Sequence, residues 1–169
     1  MKEAYYKNRV PRSVWRNPWH FIAFGFGSGA VPVAPGTFGT LVAIPFYLLL
    51  NQLHLIYYLI AVLIIAIFAI ILSDKVSREI KVHDHPGMNI DEFVGFFVTM
   101  INAPSGWQWI VIGFVLFRFF DIIKPPPIGW IDRHVQGGFG MILDDVLAGL
   151  ISCVLMQLLA YIWVTFFIK

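Results

Sequence analysis

The sequence contains one cysteine, Cys153, set inside an apolar run, so neither a disulfide framework nor a cysteine-based metal site is open to this chain. Charge is nearly as scarce: 13% of the residues are Asp, Glu, Lys or Arg, against 59% hydrophobic and 17% aromatic. With a mean hydropathy of +0.76, this balance lies outside the soluble globular range and inside the membrane class. Three nucleophile signatures are missing as well. There is no Cys-x5-Arg, no Asp-x-Asp-x-Thr and no Gly-x-Ser-x-Gly, which excludes thiolate, aspartyl-phosphate and serine-elbow chemistry.

What charge there is gathers in a few places. Lys2, Lys7, Arg9, Arg12 and Arg16 form a basic arm over residues 1–16, suited to an anionic lipid surface or to topology control, and less to nucleic acid in so apolar a chain. The remainder, 17–169, reads as a single membrane-embedded domain. A basic start before an apolar stretch also fits a signal peptide, but Gly25, Gly27 and Gly29 interrupt the apolar part and no small-residue cleavage site follows.

The pattern predicts an all-α integral membrane protein with about five transmembrane helices and an N-terminal re-entrant or interfacial half-helix. His20–Val33 is apolar but spans only ~21 Å as a helix, short of a ~30 Å hydrocarbon core. Full segments are expected from Thr37 to about Leu50, Leu55 to Leu72, Phe93 to Ala103, Trp107 to Ile123 and Val146 to Ile168. With the N-terminal arm cytoplasmic and 20–33 not crossing, both polar loops, 73–92 and 124–145, fall on the cytoplasmic side. Lys75, Arg78, Lys81, Lys124 and Arg133 then obey the positive-inside rule. Trp107, Trp109, Tyr57 and Tyr58 are expected in an outer aromatic belt, and Trp15 and Trp19 near the inner one.

The stretch from Arg118 to Asp145 organises the rest. It sets Asp121, Asp132, Asp144 and Asp145 beside Arg118, Lys124 and Arg133 between two apolar runs, where charges are expensive and usually functional. Asp91-Glu92 is expected to open one helix, Asp121 to close another and Asp144-Asp145 to open the last. Three helix ends carrying carboxylates at one membrane depth can converge on a divalent cation, and oxygen-only ligands suit Mg²⁺ or Mn²⁺. Such an ion serves phosphoryl chemistry through an activated water, with Lys124, Arg118 and Arg133 balancing phosphate charge. Plainer readings compete: Asp91 and Asp144 suit N-caps, and Arg118, Asp121 and Lys124 suit surface ion pairs. Asp74, Lys75, Arg78 and Glu79 read as a solvated face. Caps, however, do not need doubled acids. Pro35-Gly36-Thr37-Phe38-Gly39-Thr40 enters a helix N-terminus with backbone amides suited to an anion, and Gly137-Gly138-Phe139-Gly140 is a second such loop or a plain turn. His83-Asp84-His85 reads as a hydrated loop more than a metal site, and the glycines at 25, 27, 29, 95 and 149 as packing notches.

Taken in order, several motifs resemble one known family. These are Asn17-Pro18-Trp19-His20, Gly25-x-Gly27-Ser28-Gly29, Pro35-Gly36-Thr37-x-Gly39, His83-Asp84-His85, Asp91-Glu92-Phe93-x-Gly95, Asp121-x-x-Lys124-Pro125-x-Pro127-Ile128-x-x-x-Asp132, and Gly137-Gly138-x-Gly140 through Asp144-Asp145-x-x-Ala148-Gly149. From about residue 17 to 150 the chain is similar to phosphatidylglycerophosphatase A. The resemblance implies a Mg²⁺-dependent lipid phosphatase of the bacterial inner membrane, active site facing the cytoplasm, converting phosphatidylglycerophosphate to phosphatidylglycerol on the way to cardiolipin. It places the family's acidic motifs on Asp91, Glu92, Asp121, Asp132, Asp144 and Asp145, all but Asp132 being candidate metal ligands. Lys124, Gly36 and Thr37, with Arg118 and Arg133, are the candidate phosphate contacts. A small cation transporter is the main rival, but the 37–72 and 146–168 segments carry no acid along an ion path. A CDP-alcohol phosphotransferase lacks its Asp-Gly-x-x-Ala-Arg signature here.

Overall fold

The computed structural model describes residues 10–82 and 85–167, all helix and connecting turns. Lys2, Lys7 and Arg9 of the basic arm, and His83 and Asp84, lie outside the described residues. A 3₁₀ turn over Arg12–Trp15 leads into α1 (Pro18–Ala23), started by Pro18 and by the Asn17 side chain, which accepts from the Trp19 N–H at 3.0 Å. The expected half-helix over 20–33 is not continuous. Gly25, Phe26 and Gly27 take left-handed φ values of 57°, 56° and 88°, which turns the chain before a second 3₁₀ stretch ends at Ala30. Neither piece is long enough to cross a membrane.

α2 (Pro35–Leu50) and α3 (Leu55–Ile80) follow, joined at 51–54 as expected. α3 continues beyond Leu72 into what reads as a polar loop: Asp74, Lys75, Arg78 and Glu79 at spacing four give Arg78–Asp74 and Lys75–Glu79 pairs on its solvated face, at 2.5 and 4.0 Å. α4 (Ile90–Thr99), α5 (Trp107–Ile123), α6 (Ile128–His134) and α7 (Gly137–Phe167) complete the fold. α7 begins nine residues ahead of the expected Val146 because Gly137-Gly138-Phe139-Gly140 is helix, not loop.

α3 and α7 are long and apolar enough to cross a membrane, and only 22% and 28% of their most apolar windows are buried, unlike core helices of a soluble protein. Leu63, Ile64, Ile67 and Ile71 on α3 and Val154, Leu158 and Ile162 on α7 face outward. Apolar surface on this scale marks a membrane-facing protein. α2 and α5, with 16 and 17 residues, extend ~24 and ~26 Å, and α4, with 10, only ~15 Å.

α4 is the centre of the bundle. Ile90 and Phe93 through Thr99 are all buried, and the helix packs on α2, α3, α5 and α7. Two glycines bring α4 and α7 together: a Cβ on Gly149 would stand 2.4 Å from the Gly95 carbonyl oxygen, and one on Gly95 2.8 Å from that of Asp145. The packing-notch reading holds for both. Tyr58 and Trp109 are buried rather than in an aromatic belt, Tyr58 donating its hydroxyl to the Phe97 carbonyl at 2.7 Å; Tyr57, Trp107, Trp15 and Trp19 are exposed.

His20, the last residue of the Asn17-Pro18-Trp19-His20 motif, clasps the N-terminal segment to α3. Its Nδ1 lies 2.9 Å from Ser13 Oγ and its Nε2 2.8 Å from Glu79 Oε2, with the imidazole buried. His20→Ala should lower stability by about 1–2 kcal/mol, read as a reduced thermal midpoint in detergent, and an unchanged midpoint would remove the clasp from the account.

Candidate active site

Two of the three expected helix ends are found: Asp91 and Glu92 sit in the first turn of α4 and Asp121 in the last turn of α5, whereas Asp144 and Asp145 lie well inside α7. Asn89, not Asp91, flanks the start of α4, and Asp91 sits in its first turn with Oδ1 accepting from the Glu92 N–H at 3.0 Å. Asp144 and Asp145 lie inside α7, so neither caps it. The N-cap reading fails for both pairs. α5 ends at Lys124, whose left-handed backbone (φ 46°) sends the chain through the prolines into α6. That turn faces Asp132 toward the end of α5 that bears Asp121.

All six expected acids, Asp91, Glu92, Asp121, Asp132, Asp144 and Asp145, line one cavity of about 140 Å³, with Lys124 in its wall and Val135, Gly140 and Met141 among its apolar neighbours. Exposure grades the site from mouth to floor: the Asp132 side chain is 35% exposed and Lys124 30%, against 14% for Glu92, 11% for Asp121 and 6% for Asp144. A larger open groove of about 670 Å³ lies between the end of α3 and the start of α7, but its acids and bases already pair with one another. The chemistry is in the smaller cavity.

Lys124 Nζ donates to Asp132 Oδ1 at 2.5 Å and to Asp144 Oδ2 at 2.6 Å. Burial alone would lower the lysine's pKa, but these two hydrogen bonds and charges outweigh it and hold the ammonium protonated well above its usual range. Arg118 binds Asp121 in a close ion pair and lies 3.7 Å from Glu92 Oε1. The surface-pair reading of Arg118 and Asp121 is therefore right about the pairing and wrong about the surface. Arg133 does not line the cavity: it is exposed and donates from Nε to the Gly129 carbonyl of its own helix at 2.7 Å. Gly36 does not line the cavity but backs it, since a Cβ there would meet Glu92 Oε1 at 2.1 Å; Thr37 is half-buried in the same first turn of α2.

Asp91, Glu92 and Asp145 offer three carboxylate oxygens all within 4.8 Å of one another. Glu92 Oε2 and Asp145 Oδ2 are buried without a hydrogen-bond partner, as is Asp144 Oδ1. Burial, with the nearby Asp145 and Asp121 charges, pushes the Glu92 carboxyl up to about 8 against the opposing hydrogen bond from Asp91 and the Arg118 charge. Unpartnered buried carboxylate oxygens gathered this closely fit a hard divalent cation, which would restore their ionised forms.

Fold and site together define a class: a helical, apolar-surfaced protein built around an acid-lined polar cavity, with a lysine and an arginine held among the acids. Comparison with known proteins narrows it. A family model described as Phosphatidylglycerophosphatase A matches residues 21–160, and the chain belongs to that family. It is 42% identical over 158 residues to the Phosphatidylglycerophosphatase A of Escherichia coli (strain K12), covering 93% of this chain and 90% of the relative. It is 42% identical over 147 residues to that of Haemophilus influenzae, covering 86% and 90%. A protein of Bacteroides thetaiotaomicron named putative phosphatidylinositol-3-phosphatase is 36% identical over 148 residues, covering 83% and 92%. No solved structure matches.

Proposed function

We propose that this chain hydrolyses the terminal phosphomonoester of phosphatidylglycerophosphate to phosphatidylglycerol and phosphate, at a Mg²⁺ site held by Asp91, Glu92 and Asp145. The observation that carries this reading is the convergence of six carboxylates and Lys124 in one small cavity of a chain of this family. A bound divalent cation supplies charge neutralisation for the phosphate and a more acidic water. The chain's own residues do the rest. Lys124, fixed between two acids at the wall, presents a permanent positive charge to a phosphate entering past Asp132. Arg118 holds Asp121 and steadies Glu92 from behind, and Gly36 leaves the space that Glu92 occupies. Arg133, exposed on α6 one residue beyond Asp132, we place as a contact for the outer part of the headgroup.

The substrate's acyl chains lie in the bilayer and its phosphomonoester in the headgroup layer. A cavity whose walls come from the polar ends of apolar helices suits that division. We place it on the cytoplasmic face of the bacterial inner membrane, on the strength of Lys75, Arg78 and Lys81 at the end of α3. Lys81→Cys should then react with a membrane-impermeant thiol reagent only in inside-out vesicles. Labelling in intact spheroplasts would reverse the orientation.

The test of the reaction is phosphate release by the purified protein in detergent micelles from phosphatidylglycerophosphate, with Mg²⁺ and then with EDTA. Release that the chelator stops and Mg²⁺ restores is the expected result; no release from a folded sample would overturn the reading. Phosphatidic acid and phosphatidylinositol 3-phosphate belong in the same panel, the latter because of the name of the Bacteroides thetaiotaomicron relative. Faster turnover of either would move the substrate assignment while leaving the phosphomonoesterase in place.

A further inference from the structure

The acids of the cavity fall into two groups that are used differently. Asp91, Glu92 and Asp145 each offer an oxygen to one cluster, and Glu92 and Asp145 each keep a buried oxygen without a hydrogen-bond partner. Asp132 and Asp144 instead share the Lys124 ammonium, at 2.5 and 2.6 Å. Metal-dependent phosphoryl-transfer sites often hold two ions ~3.5–4 Å apart bridged and flanked by carboxylates, so that both attacking and leaving oxygens face positive charge. We propose that this site takes a single divalent cation, and that the Lys124 ammonium fills the position a second ion would take between Asp132 and Asp144. The inference rests on the cation site proposed above and adds to it the number of ions and the role of the lysine.

Three features make Lys124 a fixture rather than a mobile surface side chain. Its backbone is left-handed at the end of α5, a conformation that a non-glycine residue holds only where its surroundings enforce it. Its N–H donates to the Phe120 carbonyl at 2.9 Å. Its carbonyl is packed so closely by α6 that a Cβ on Gly129 would stand 2.5 Å away. With the backbone pinned at both ends and two carboxylates on the ammonium, the side chain has nowhere better to go. The ammonium neutralises the pair whatever the metal concentration, but it offers no vacant position to a ligand, so it supplies charge and not Lewis acidity.

Removing the ammonium should expose a carboxylate pair able to take a metal. The probe is Mn²⁺, counted as bound ions per chain from the loss of free-ion EPR signal, on purified protein in detergent with enough salt to screen exposed acids. The wild type is expected to bind one ion, Lys124→Met two, and the double variant Lys124→Met/Asp132→Asn one again. Lys124→Arg, which keeps the charge, should bind one, and Lys124→Gln serves in place of Lys124→Met if that variant does not purify as a single folded species. Two ions in the wild type, or one ion in both the wild type and the lysine-less variants, would overturn the proposal. Its failure is distinguishable from failure of the cation site itself: Asp145→Asn should abolish the wild-type ion, and absence of bound Mn²⁺ from every form would remove the metal reading and this proposal together.

Discussion

Asp145→Asn is expected to reduce phosphate release by roughly 10³-fold or more, equivalent to ~4 kcal/mol of transition-state stabilisation, in a protein that still folds. Asp145 is 4% exposed, one of its oxygens has no hydrogen-bond partner, and it completes the three-carboxylate cluster with Asp91 and Glu92. Asparagine keeps the shape and removes the charge. Without metal, that exchange relieves a buried carboxylate of its desolvation penalty, so the thermal midpoint of the variant in EDTA should equal or exceed that of the wild type. With Mg²⁺ the order should reverse, because only the wild type gains stability from the ion. Asp121 and Asp144, tied to Arg118 and Lys124, act through those partners, and their Asn variants should lose less, roughly 10–100-fold, as is usual for groups that orient a metal site from behind. Turnover and thermal midpoints of the three variants, each measured with and without Mg²⁺, check the ranking. An Asp145→Asn enzyme within tenfold of wild type would take this residue out of the mechanism.

The second large effect is expected far from any charge. Gly95→Val should leave little folded protein, and Gly95→Ala should cost about 1–3 kcal/mol and impair turnover in the part that folds. A Cβ at Gly95 meets the Phe117 ring at 2.4 Å on one side and the Asp145 carbonyl oxygen at 2.8 Å on the other, so α4 must move away from α5, α7 or both. Either shift changes the distance between Asp91 and Glu92 on α4 and Asp145 on α7, and a ~1 Å misplacement at a reacting centre is enough for ~10²-fold in rate. Gly113→Ala is the contrast. Its Cβ would stand 2.5 Å from Met100 Sδ, the end of a flexible side chain that can rotate aside, so stability and turnover should stay close to wild type. Equal thermal midpoints for Gly95→Ala and Gly113→Ala would show that the α4–α7 contact is not as rigid as its geometry.

The sequence reading erred at α3 and α7 for one reason. Apolar composition marks where a helix can lie in hydrocarbon, but helices continue into water when their hydrogen bonds and side chains allow it. Charges at Asp74, Lys75, Arg78 and Glu79 look like a loop in a hydropathy trace, yet at spacing four they stabilise the last turns of α3. The three glycines of 137–140 look like a loop too, yet they lie in helix, and Gly138 is the clearance that lets α7 begin against α3, since a Cβ there would stand 2.3 Å from the Ile70 carbonyl. Tyr58 and Trp109 were legible as aromatic and near a helix start, but only packing distinguishes a ring at the lipid boundary from one in the core.

By itself the sequence determined the helical class and the apolar helices, and it singled out the six acids and Lys124 that the fold gathers in one cavity, because charges in a chain this apolar have few other uses. The tertiary structure alone decided how the others divide: Asp91, Glu92 and Asp145 to a common centre, Asp132 and Asp144 to Lys124, while the Arg118–Asp121 pair at spacing three was already legible. It also kept Arg133 off the cavity lining and set Gly36 behind Glu92, where the missing Cβ leaves room for that side chain. Those partnerships join residues on different helices, and their distances depend on how closely the backbones approach at Gly95 and Gly149 and on the left-handed turn at Lys124. Spacing along one chain carries no record of such approaches, since they are set by the packing of several helices at once.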